Sequence, residues 1–176
     1  MGNPLSPILC NLFMEHFEKE LIPKLNVQPI VWYRYVDDVF SMWAVNNKDF
    51  DEFFTQLNKL HNTIKFKVEW EADKILPFLD VKVIRVNAPI FSVYRKPTNS
   101  ESYIHYFSYH GPDVKKSILV TFFLRAYRIC DMCTRADEIN HINRSFIELK
   151  YPLWFIDECH EKAKKIFYKP RDGNKK

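Results

Sequence analysis

No uninterrupted apolar run in these 176 residues is long enough to cross a bilayer as a helix, so the chain is read as having no membrane partner. No cationic, then apolar, then small-residue segment opens it, and the reading is an intracellular protein. Internal repeats and low-complexity segments are also missing, which excludes repeat arrays and leaves an ordinary folded chain. Glycine is scarce, with three residues, so turns must be made mostly without it. Cysteine is scarce too: Cys10, Cys130, Cys133 and Cys159. Cys130 and Cys133 form a CxxC in "RICDMCTR", with His141, Cys159 and His160 downstream. A zinc site wants two ligand pairs at suitable spacing on loops. Here the CxxC lies in a helix-like run and Cys159 and His160 are adjacent, so buried free thiols are expected instead.

What is present is globular: 47% hydrophobic, 16% aromatic and 27% charged residues, a size that suits one domain or a core with an appended lobe. The net charge of +4 fits a polyanionic partner, because Lys and Arg gain affinity by releasing phosphate counterions, and it equally fits a solvated surface. The opening "MGNPLS" matches a myristoylation pattern, a short one that arises often by chance.

The segment "NPLSPILCNLFMEHFEKELIPK" reads as a capped helix, with Ser6 as N-cap, Pro7 in the first turn and Pro23 as the stop. Leu9, Leu12, Phe13, Phe17 and Leu21 fall on one face, which predicts a buried stripe. Ile30 to Val36 and Phe40 to Val45 read as a hairpin with Asp37 and Asp38 at its turn. The next helix is expected from Asp49 to His61, burying Phe50, Phe53, Phe54, Leu57 and Leu60. Alternation of Ile64, Phe66, Val68 and Trp70 predicts a half-exposed strand. "LPFLDVKVIRVNAPIFSVYRKP" predicts two strands around Asn87-Ala88-Pro89. Helices are expected over 112–130, 135–149 and 153–168, then a basic tail. From Lys162 to Lys176 seven residues are basic and Asp172 alone is acidic. The fold class is therefore α+β: an antiparallel sheet with backing helices, followed by a helical lobe.

Two adjacent aspartates inside the β-favouring run "YRYVDDVF" call for a reason. A solvated turn is one. Hard-cation binding is the other: carboxylates hold Mg²⁺, which keeps part of its shell for substrate phosphates. Two-ion phosphoryl transfer needs carboxylates from several elements, so the pair decides nothing by itself.

Its context carries more. "YVDD" preceded by "MGNPLSPILCNLFMEHFE" resembles a reverse transcriptase. The finer resemblance is to Penelope-like retroelements, through "NPLSPILCNLFMEHFE", "RYVDD", "LNKLHNTIKFKVEWE", "LPFLDVKV", "SVYRKPT" and "RAYRIC" in order. The resemblance spans Met1 to about Ile156. It implies an RNA-directed DNA polymerase palm over 1–108, a thumb-like region over 109–168 and a tail over 169–176. It implies a primer–template and dNTP as partners, Mg²⁺ or Mn²⁺ as cofactor, and a nuclear location. Asp37 would be the main metal-binding carboxylate and Asp38 its companion. Gly2, Pro4 and Ser6, with Tyr35 and Val36, would position template and nucleotide. Phe78 and Leu79 would form the primer grip. Arg34, Arg95 and Lys96 are candidates for contact with the nucleic-acid backbone, with plain surface charge as the alternative. Lys65, or Lys67, would take the general-acid place near pyrophosphate, against the simpler reading of a solvent-facing strand residue. "YIHYFSYH" offers rings for stacking or, more simply, for the core.

The family's catalytic set has three aspartates, and its first lies before the glycine/proline motif at which this chain begins. Asn3 stands where a small serine is usual. The expectation is a truncated polymerase that does not act alone, with a non-catalytic nucleic-acid binder or an inert relic as alternatives.

Overall fold

A computed structural model describes residues 4–169 of the chain. The fold is α+β, with helices and two small antiparallel sheets, and it divides into two compact units, 1–69 and 70–176.

In the first unit, α1 spans Ser6–His16 and continues through a π-helical turn, Phe17–Leu21, into a 3₁₀ turn, Ile22–Lys24. Pro7 sits in the first turn, where its missing N–H leaves no bond unmade. The residue before the helix is Leu5, and no side chain caps it, so Ser6 is inside the helix and is not its cap. The expected buried stripe is also corrected. Leu9, Leu12 and Phe13 are exposed, and no residue of α1 is buried. Phe17 and Ile22, in the turns that follow, are the residues that enter the core. The cause is coverage: the unit's core gathers around Phe17, Ile22, Phe53 and Leu57, and so reaches only the last part of the helix.

β1, Val31–Tyr35, pairs with β2, Asp38–Met42, from Val31 opposite Met42 to Tyr35 opposite Asp38. Trp32 and Trp43 carry this hairpin onto the core, packing on Phe66 and Phe53 with ring centroids 6.0 and 4.4 Å apart. α2 spans Asn47–Leu57, four residues short of the expected end. Asn46 caps it by accepting from the Asp49 N–H at 2.9 Å. Its phenylalanines at positions 50 and 53 and Leu57 are buried.

The strand expected from Ile64 to Trp70 does not form. Ile64 and Phe66 do turn toward the core, but no β-ladder is formed here among the described residues. The Asn58 side chain serves instead, accepting from the Phe66 N–H at 2.7 Å and donating to its carbonyl at 3.3 Å. Alternation was therefore legible, and the ladder it usually signals is replaced by one asparagine.

The second unit begins with three strands, one more than expected: β3, Ile75–Phe78; β4, Val81–Ile84; and β5, Ile90–Val93. They pair antiparallel in sequence order, with Phe78 opposite Val81 and Ile84 opposite Ile90. Pro77 is tolerated because β3 is an edge strand. Three long helices follow: α3, Pro112–Ile129; α4, Met132–Glu148; and α5, Leu153–Tyr168. They lie within three residues of the expected bounds. Pro112 opens α3 after Gly111, and α5 starts directly after Pro152.

Leu119, Phe123, Ile142, Phe146, Ile156 and Cys159 are the largest fully buried side chains of this unit's core. Tyr103 and Tyr106 of the aromatic run pack against it, Tyr103 lying parallel to Phe146 at 5.6 Å. Phe107 and Tyr109 of the same run are exposed. The sheet is stitched to the α3–α4 turn at Phe91. Its N–H donates to the Asp131 carboxylate at 2.7 Å, and its carbonyl accepts from the Thr134 hydroxyl at 2.7 Å. Among the described residues no helix is long and apolar enough to cross a membrane.

Candidate nucleic-acid interface

The aspartate turn belongs to the first unit. Because Tyr35 faces Asp38 in the ladder, the two-residue connection is Val36-Asp37, and Asp38 already opens β2. Val36 has φ of 56°, a left-handed conformation that glycine takes freely and that a β-branched residue takes only with strain of about 1–3 kcal/mol. Tyr35, Val36, Asp37 and Asp38 are all exposed. Neither aspartate makes an ion pair among the described residues.

Arg34, two residues before the turn, fixes it from behind. Its Nε donates to Glu18 at 2.7 Å, and its Nη1 donates to Asn11 Oδ1 at 3.2 Å and to the Val36 carbonyl at 3.1 Å. Trp32 Nε1 adds a bond to the same Glu18 carboxylate at 3.1 Å. Arg34 is thus largely committed within the fold, with 12% of its side chain exposed. Lys65 is committed as well, donating to the carbonyls of Asn58 and His61 at the end of α2, while Lys67 is exposed. Pro4 and Ser6 are exposed at the start of α1, and Gly2 lies outside the described residues.

As a metal site the turn offers two adjacent carboxylates from one element. Among the described residues no group of three or more His, Cys, Asp or Glu side chains is placed to hold a cation. The described residues therefore do not complete a two-ion centre, which needs carboxylates from several elements.

In the second unit, Phe78 and Leu79 stand at the β3–β4 turn, with Leu79 at φ 52°. Beyond β5, Arg95 is drawn inward. It grips Glu138 of α4 with two parallel bonds of 2.6 and 2.8 Å and reaches Glu101 at 3.3 Å. Glu101 also bonds His141 Nε2 at 2.9 Å and the Ser145 hydroxyl at 3.2 Å. Burial works to lower the Arg95 pKa, and the bonds to Glu138 outweigh it, so the guanidinium is held above its ordinary value. Lys96, next in sequence, is exposed and has no ion pair among the described residues. Chemistry that looked equivalent in sequence is divided between an internal tie and a free cation.

The CxxC cysteines are also separated. Cys130 is buried just after α3, and Cys133 is exposed in the first turn of α4. Burial pushes the Cys159 thiol up to about 11 and raises Cys130 also. His160 stacks on Phe123 at 4.4 Å and shares a 2.9 Å hydrogen bond with the Tyr127 hydroxyl. Burial, then the nearby Lys164, lowers its pKa.

The helical arrangement brings forward residues the sequence reading did not single out. α3 and α4 are joined by Cys130-Asp131 alone, a sharp helix–turn–helix connection. On α4, Asn140 and Arg144 are exposed one turn apart, while Ile142 and Phe146 face the core. On α3, Arg128 is exposed three residues after Arg125. The signal available in the sequence was the helical period: once Ile142 and Phe146 are assigned inward, Asn140 and Arg144 must point out.

Residues 102–161 match the animal helix-turn-helix domain family, a stretch holding all of α3 and α4 and most of α5. No curated protein and no solved structure matches the chain.

Proposed function

We propose that this chain binds nucleic acid through the helix–turn–helix of its second unit, with α4 as the helix presented to the ligand. The observation that carries the reading is the match of 102–161 to a helix-turn-helix family on a segment where two helices meet at a two-residue turn. In such motifs the second helix enters the major groove. Asn and Arg are the side chains that pair two-pronged with adenine and guanine edges, and α4 exposes Asn140 and Arg144. α5 is less suited, because its first exposed residues are Leu153, Trp154, Asp157 and Glu158.

The finer proposal is descent from a Penelope-like reverse transcriptase, with 1–108 as palm and 109–168 as thumb. Support comes from the ordered sequence motifs and from Val36, strained at the aspartate turn, the kind of position where function holds a backbone. Asp37 and Asp38 alone do not complete the chemistry, so the binding reading stands ahead of catalysis for this chain.

Fluorescence anisotropy of the full chain against labelled duplexes tests the proposal. Expected is binding that weakens steeply as salt rises. Arg144→Ala should lose about 1–3 kcal/mol, concentrated on particular sequences. Absence of binding to any DNA or RNA at low salt refutes it. In a primer-extension assay with Mg²⁺ or Mn²⁺ the chain should incorporate nothing above background. Template-dependent extension abolished by Asp37→Asn would restore the polymerase reading.

A further inference from the structure

A cleft of about 330 Å³ opens in the second unit. Leu79 and Asp80 of the β3–β4 turn, Tyr94 to Lys96, Thr98, Asn99 and Arg125 of α3 line it. Arg95 is satisfied by Glu138 and Glu101. That leaves Lys96 and Arg125 as the lining cations not committed to Glu138 or Glu101, with the exposed Asp80 beside Arg125.

Arg125 is poorly satisfied for a guanidinium with five donors. Its Nε is buried without a partner, and its Nη2 reaches the Tyr94 carbonyl at 3.5 Å and Asp80 at 3.2 Å. The Asp80 side chain is 71% exposed, so this ion pair is mostly solvated and weak. Lys96 has no carboxylate partner among the described residues. The chain reverses at Lys96–Asn99, the Asn99 N–H donating to the Lys96 carbonyl at 2.9 Å. Asn99 Oδ1 accepts from the Glu101 N–H at 3.1 Å, which leaves the amide NH₂ for another acceptor. The Thr98 hydroxyl adds a further donor.

We propose that this cleft is a seat for one backbone phosphate of a bound nucleic acid, held by Lys96 and Arg125 with Thr98 and Asn99 supplying neutral donors. Donors from separate elements suit a tetrahedral anion, which accepts from several directions. A seat of this kind positions the ligand without reading its sequence. The inference rests on the nucleic-acid reading above and adds a second, sequence-independent contact to it.

The test is a salt titration of full-chain binding to a labelled duplex, with Lys96→Gln and Arg125→Gln. Each variant should lower the salt slope by about 1 and weaken binding roughly threefold at low salt, equally for unrelated sequences. Lys96 is exposed and outside the core, so Lys96→Gln keeps the fold and remains decisive if Arg125→Gln does not. Asp80→Asn should tighten binding, because it removes the carboxylate that competes for Arg125. Unchanged slope and affinity in Lys96→Gln and Asp80→Asn, with wild-type binding intact, overturn the seat and leave the binding reading standing. Wild type that binds no duplex overturns both. Polyglutamate displacing the duplex as well as unlabelled DNA does at equal charge would assign the cleft to an acidic peptide and overturn the phosphate. Free phosphate that competes only through ionic strength supports a seat for the polymer's phosphate; competition at matched ionic strength assigns it to the free ion and overturns the proposal.

Discussion

Removing Glu138 puts the internal tie of the second unit to a quantitative test. Glu138 is 8% exposed and receives both Arg95 bonds, at 2.6 and 2.8 Å. Glu138→Ala leaves a guanidinium, itself 20% exposed, with Glu101 at 3.3 Å as its remaining carboxylate. Breaking a buried pair from one side costs about 3–5 kcal/mol, because a charge stays behind without its partner. Residual exposure and Glu101 place this case at the lower end, near about 3 kcal/mol. For a unit of this size that lowers the melting temperature by roughly 12 °C or more. The assay is thermal and urea unfolding followed by far-ultraviolet circular dichroism, where α3, α4 and α5 dominate the signal. The double variant Arg95→Met, Glu138→Leu should recover most of the loss, since replacing both charges by apolar groups removes the stranded ion. A shift below about 1 kcal/mol for Glu138→Ala would refute the claim that this pair ties the end of β5 to α4. So would a double variant as unstable as the two single changes added together.

Three more outcomes are expected. His160 has a lowered folded pKa, so its contribution is complete above the unfolded value of about 6.5 and is lost as pH falls through the lower folded one. The stability advantage of wild type over His160→Gln should therefore shrink between about pH 8 and about pH 5, and a constant difference would rule out titration of this ring. In the native chain Ellman's reagent should react quickly with Cys10 and Cys133, while Cys130 and Cys159, buried and raised in pKa, wait for unfolding. Val36→Gly should stabilise the first unit by roughly 0.5–1 kcal/mol in urea, since glycine removes the left-handed strain and returns part of the gain as chain entropy. A loss of stability there would show that the valine side chain contributes packing the φ angle does not reveal.

Sequence legibility followed the range of the interactions that decide each element. α3, α4 and α5 were readable because a period of apolar residues and a long uninterrupted run, with a proline at the start of α3 and α5, are local properties, and their core obeys them. α2 was readable from Phe50, Phe53 and Leu57, and its end was not, because Asn58 is recruited to Phe66 eight residues away. β3 was missed as a separate strand because its turn, Leu79-Asp80, carries no glycine and its edge position hides the usual objection to Pro77. For α1 the periodic stripe was correct as a pattern and misleading as burial, since amphipathicity states what a helix can cover and not what covers it.

The candidate site divides along the same line. Arg34, Arg95 and Lys96 are alike in sequence as cations beside family motifs, yet two of them are internal. Glu18 lies sixteen residues from Arg34, and Glu138 lies forty-three from Arg95, so nothing local announces either partner. Lys96 stays outside because its neighbour Arg95 has taken Glu138 and Glu101. Arg125 acquires meaning only when α3 meets the end of β5 at Tyr94. The aspartate turn shows the converse: its residues are all local, its strain at Val36 is local, and its motif was visible at once. Among the described residues no third carboxylate from another element joins it, and that is a property of tertiary placement. The donors that tertiary placement brings to the turn, not the motif, set what it can hold.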